Sequence, residues 1–110
     1  MNREAGKKWV EALRSGEYEK STLRLESPEG FCCLGILCKL AEKEDVPVTT
    51  TINGKLAGHT LSHQHQVKEW SGISSDSGDL EDDRRLTHLN DEGSSFEELA
   101  DIIEKEIETL

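Results

Sequence analysis

Apolar residues are densest between Gly30 and Ala41, in the run Gly30-Phe31-Cys32-Cys33-Leu34-Gly35-Ile36-Leu37-Cys38-Lys39-Leu40-Ala41. Cys33, Ile36, Leu37, Leu40 and Ala41 follow one another at steps of three, one, three and one, which is the stripe of a helix. Leu34 and Cys38 widen that stripe until little of the helix is polar, so this element is expected to be enclosed by the rest. Lys39, Glu42, Lys43 and Glu44 mark its return to water. Pro47 disfavours helical geometry at Val46, so the helix is expected to stop near Asp45.

The flanking pattern supplies the cover. Residues 3–15 read as a helix with Ala5, Trp9, Ala12 and Leu13 on one face, ended by Ser15-Gly16, with Tyr18 folding back under Trp9. Leu23 and Leu25 alternate with charged residues in Thr22–Glu26, the period of a strand. Ser27-Pro28-Glu29-Gly30 has type I turn chemistry, and Phe31–Cys33 returns as a strand into the central helix. Such a hairpin needs a third strand or a helix over its open side. Val48–Ile52, Asn53-Gly54 and Lys55–Gly58 predict a second hairpin, with both turn residues at positive φ. Residues 61–71 read as a helix capped by Thr60 or Ser62, with Val67 and Trp70 inward and Gly72 at its end. The acidic stretch 74–83 is expected to be a mobile loop. Leu86 and Leu89 suggest one helical turn. The last helix starts at a Ser95/Glu98 capping box and buries Phe96, Leu99, Ile103, Ile107 and Leu110, with an Asp101–Lys105 ion pair outside. Together these elements predict one α+β domain spanning 1–110, with two or three main helices around a small antiparallel sheet.

Charge changes the picture at one end. The formal net charge is −10, and residues 1–75 balance ten bases against ten acids. The whole excess therefore lies in 76–110, where thirteen acids face Arg84, Arg85 and Lys105. A field of this sign repels nucleic-acid phosphates, arguing against direct DNA or RNA binding. Only 34% of residues are apolar, and no run approaches the ~20 residues of a membrane span. With no apolar leader after Met1 and an odd number of cysteines, the expected setting is a reducing cytoplasm.

Candidate chemistry is thin. Cys33 and Cys38 lie ~140° apart on a helix, a poor start for a zinc site. Their apolar neighbours imply small buried thiols rather than nucleophiles. His63 and His65 diverge on a helix, and His59 and His63 straddle a helix start, so all three read as solvated. Asp76-Ser77-Gly78-Asp79 places glycine third, where a calcium loop needs it sixth. No paired carboxylates stand out among the acids, and there is no glycine-rich phosphate loop. No metal and no cofactor are implied.

Several stretches resemble a group of small phage and prophage proteins of mostly unassigned function. They are Trp9-x-x-Ala12-Leu13-Arg14-Ser15-Gly16-x-Tyr18, Phe31-Cys32-Cys33-Leu34-Gly35-x-Leu37-Cys38, Glu69-Trp70-x-Gly72, and Leu89-Asn90-Asp91-x-Gly93-x-Ser95-Phe96-x-Glu98-x-Ala100-Asp101-Ile102-Ile103-Glu104. The likeness covers both ends and thins between 45 and 85. It carries over no catalytic residues. It implies a phage accessory product acting in a bacterial cytoplasm.

Absent a catalytic constellation, the sequence points to a non-enzymatic binding protein that interferes with a host process, in particular a defence system. Its expected working surface is the acidic third: Asp79, Glu81, Asp82, Asp83, Asp91, Glu92, Glu97, Asp101 and Glu104. These would occlude a basic host protein surface, as a nucleic acid would. An alternative is a sponge for a small linear or cyclic nucleotide signal, held by Trp9, Arg14, Tyr18, Arg24, Trp70, Arg84 and Arg85. A third is a cysteine-dependent enzyme.

Overall fold

Five α-helices, one 3₁₀ turn and one two-stranded antiparallel sheet make up the computed structural model, which describes residues 1–110. They form the expected single α+β domain. The helices are α1 (Arg3–Arg14), α2 (Cys33–Lys43), α3 (His65–Ser71), α4 (Leu86–Asp91) and α5 (Phe96–Lys105). Strands β1 (Glu26–Ser27) and β2 (Gly30–Phe31) pair with Glu26 opposite Phe31 and Ser27 opposite Gly30.

The apolar run forms the centre of the molecule. Cys33, Leu34, Gly35, Ile36, Leu37, Cys38 and Ala41 of α2 are all buried, and Leu40 is half-buried. α1, β2, α3 and α4 all pack on α2, while α1 packs most extensively on α5. Trp9 of α1 is fully buried, its indole N–H donating to the Cys33 carbonyl at 2.8 Å. Asn2 caps α1 through its side chain. The Ser95/Glu98 capping box is present in both directions, at 3.1 and 2.9 Å.

Several expectations need correction. Leu23 and Leu25 do not share a strand face: Leu25 is buried, whereas Leu23 is 65% exposed and adopts φ +68°. The chain bends left-handed at Leu23, and the strand starts only at Glu26. The open side of the hairpin is covered as required, by residues 19–21, with Phe31 N–H donating to the Glu19 carbonyl and Ser21 N–H to the Phe31 carbonyl. Tyr18 meets Phe31 edge-on, with ring centroids 5.7 Å apart, rather than lying under Trp9.

The second hairpin is reduced to a single bridge, Thr50–Leu56. Of its turn residues only Gly54 has positive φ, because the loop has three residues rather than two. Thr51 N–H donates to the Lys55 carbonyl at 2.7 Å, and Gly54 takes the left-handed position.

Helix 61–71 is split into a 3₁₀ turn (Leu61–His63) and α3, and the turn at Leu86 grows into a six-residue helix. Thr60 caps the 3₁₀ turn, Val67 is buried and Trp70 half-buried. α5 stops at Lys105, but Leu110 is still buried, and its carbonyl accepts from Ser74 N–H. Lys105 forms no ion pair, since Asp101 is taken by Arg14. Residues 74–83 are irregular, as composition suggests. They are nevertheless tied by Asp76 carbonyl to Leu61 N–H, Gly78 carbonyl to Leu86 N–H, and burial of Leu80.

Candidate functional site

The double-cysteine stretch is structural in its geometry. Cys32, Cys33 and Cys38 are free thiols, each at most 1% exposed. Burial pushes the Cys32 thiol up to about 11 and the Cys38 thiol up to about 12, and drives the Cys33 thiol well above its ordinary value. A thiol so held is a poor nucleophile at neutral pH. Cys32 also occupies the N-cap of α2 without a capping bond from its own side chain.

The missing cap comes from elsewhere. Asn90, fully buried at the end of α4, accepts the Cys33 N–H at 3.1 Å through Oδ1. Its Nδ2 donates to the Ser21 carbonyl at 3.0 Å, and its own carbonyl accepts from Lys20 Nζ at 2.7 Å. Next to it, half-buried Asp91 accepts from Leu23 N–H at 2.9 Å and lies 2.9 Å from His59 Nε2. Burial raises the Asp91 carboxyl, but Leu23 N–H, the His59 ring and the Asn90 amide outweigh it and hold the group below its ordinary value. Asn90-Asp91 thus fastens the left-handed bend at Leu23, a geometry costing a leucine ~1–2 kcal/mol.

Gln64 plays a matching part for the second hairpin. Buried between exposed His63 and His65, it accepts from Thr49 N–H at 2.9 Å and donates to the Thr49 and Ala57 carbonyls. Sequence reading missed both amides. Asn90 had a signal, its place in a distinctive motif, whereas Gln64 between two histidines offers none.

The acidic residues are spread over one end of the chain and are largely matched by its own cations. Arg14 reaches from α1 to Asp101 at 2.6 Å and Glu104 at 3.2 Å. Arg84 takes Asp82 at 2.7 Å and Glu106 at 3.1 Å, Arg85 lies 3.6 Å from Asp79, and His88 lies 2.8 Å from Glu92. Glu81, Asp83 and Glu97 are exposed with no cation beside them. Even so, nine acids sharing three arginines and two histidines leave this end strongly negative.

The aromatic and arginine set does not converge. Trp9 is sealed in the core, Tyr18 packs on Phe31, and Arg14, Arg84 and Arg85 are committed to carboxylates. Arg24 lies apart from these pairs, on a groove between the two hairpins. No group of three or more His, Cys, Asp or Glu side chains is placed to hold a metal ion. No helix is long and apolar enough to cross a membrane.

Residues 1–107 match the model of a family described as a domain of unknown function, DUF8296. No curated protein and no solved structure matches the chain.

Proposed function

We propose that the chain, which belongs to the DUF8296 family, is a binding protein without chemistry of its own that inhibits a host process of the bacterium its phage infects. In this reading it is an anti-defence protein acting in the host cytoplasm, and its acidic third occludes a basic host protein surface.

One observation carries it. The full −10 charge resides in residues 76–110, and Glu81, Asp83 and Glu97 present carboxylates there that no cation of the chain meets. The intramolecular pairs shape this surface without neutralising it. Exposed pairs of this kind contribute little stability, about 0–1 kcal/mol each, so folding alone gives slight reason for so much charge. A surface negative over a whole end steers cationic partners and repels nucleic acid. The fully buried thiols support the absence of cysteine chemistry.

The test is affinity capture from bacterial lysate, followed by association kinetics of the captured pair across salt. The reading expects the association rate to fall steeply between 50 and 500 mM salt, on the scale of the shrinking ~10 Å Debye length. A rate that ignores salt contradicts it.

A further inference from the structure

The largest concavity of the molecule is an open groove of about 1050 Å³ between the two hairpins, bordered by Asp91 of the acidic end through Leu23 and His59. Hydroxyl and amide side chains of Ser21, Thr22, Ser27, Thr51 and Asn53 line it beside apolar Leu23, Pro28 and Leu56. Lys20, Arg24 and Lys55 line it as well.

What distinguishes these cations is their lack of carboxylate partners in a chain with a large excess of acid. Seven of the thirteen lysines and arginines form ion pairs: Arg3, Lys8, Arg14, Lys39, Lys68, Arg84 and Arg85. Three of the remaining six stand on this one groove. Two carboxylates share it, yet neither takes a cation. Glu26 accepts from Leu56 N–H at 3.0 Å, and Glu29 accepts from Ser27 Oγ at 2.9 Å. Lys20 gives one hydrogen to the Asn90 carbonyl and has two left. Arg24 and Lys55 have no side-chain hydrogen bond at all.

A second observation falls on the same groove. Leu23 is the one left-handed residue of the chain that is neither glycine nor aspartate, and its side chain is mostly in water. The bend is bought by no burial, and is instead held by Asp91. Backbone strain retained without a packing return is a mark of ligand sites.

We infer that this groove binds a small phosphorylated polyol, such as a sugar phosphate, with Arg24 and Lys55 on the phosphate and the hydroxyl and amide side chains on the polyol. Arginine and lysine together match a phosphate by fork and point charge. The net negative field discourages long polyanions but not a dianion held at contact. No Phe, Tyr or Trp lines the groove, and its one ring, His59, is tied to Asp91 at 2.9 Å, so it offers a nucleobase no free platform to stack on.

The experiment is thermal unfolding with ribose 5-phosphate, ribose, adenosine and pyrophosphate at fixed ionic strength, alongside phosphorus NMR of ribose 5-phosphate. Ribose 5-phosphate is expected to raise Tm saturably by about 3 °C or more and to broaden its phosphorus resonance, with ribose and adenosine inert and pyrophosphate weaker. Arg24→Gln/Lys55→Gln, which breaks no hydrogen bond of the fold, is expected to abolish both signals. Lys7→Gln/Lys105→Gln, with the same charge change elsewhere, is expected to retain them. No saturable response, an equal or larger one from pyrophosphate, or equal loss in both double variants overturns the assignment.

Discussion

Asn90 Oδ1 accepts the Cys33 N–H at 3.1 Å, fifty-seven residues away in sequence, and so caps α2 from α4. Two stretches that look like separate motifs form one junction. The first turn of a buried helix leaves backbone donors without helical partners. The local cap residue, Cys32, contributes no side-chain bond, and Asn90 takes its place.

Replacing Asn90 therefore costs more than an ordinary surface amide. Asn90→Ala orphans buried Cys33 N–H and removes the donor to the Ser21 carbonyl, a loss expected at about 2–3 kcal/mol. Urea unfolding measures it. A change below about 0.5 kcal/mol contradicts the capping role.

Gly35 sits in the interior of α2, where glycine ordinarily weakens a helix by ~0.5–1 kcal/mol relative to alanine. A Cβ there would collide with the Leu25 carbonyl, a rigid backbone atom. Gly6 of α1 also faces an occupied space, but the obstacle is the flexible end of Ile107. Gly35→Ala is expected to destabilise by several times the loss at Gly6→Ala, as chemical denaturation of the two variants would show.

The thiols give a direct chemical readout. With Cys32, Cys33 and Cys38 buried and their ionisation pushed upward, native protein at pH 8 is expected to resist alkylation, and all three thiols to react in denaturant. Rapid modification of any one in the native state would reopen the cysteine-enzyme reading.

Asp91 makes stability depend on acid. Its carboxyl is held below its ordinary value of 3.8, so the charged form contributes stability above that value. The contribution drains away as pH falls through the lower folded value. Unfolding of Asp91→Asn, compared with wild type from pH 6 down to pH 2.5, is expected to show a shallower acid loss below about pH 4. Parallel curves would mean that Asp91 does not hold the Leu23 bend electrostatically.

How much of this was legible in the sequence follows from the range of the interactions. The stripe of α2 and the Ser95 cap are written in residues three or four apart, so periodicity alone finds them. Thr22–Glu26 misled because alternation describes a strand only if the backbone stays extended, and Asp91, sixty-eight residues on, pulls Leu23 out of that geometry. The Asp101–Lys105 pairing failed for the same reason: Arg14 arrives from α1 and takes the carboxylate at 2.6 Å. The acidic surface could be read from composition. The groove could not, because its cations come from residues 20–24 and from Lys55, and only the folded chain shows which of them lack a partner.

The central claim is that the acidic end does the binding. Glu81→Gln/Asp83→Asn/Glu97→Gln removes three carboxylates whose side chains form no hydrogen bond or ion pair in the fold, so stability should hold. Capture from bacterial lysate by this variant, run beside the unaltered chain at 50 mM salt, tests the claim most directly. The account predicts a discrete partner retained by the unaltered chain and largely lost by the variant; equal recovery by both would contradict it.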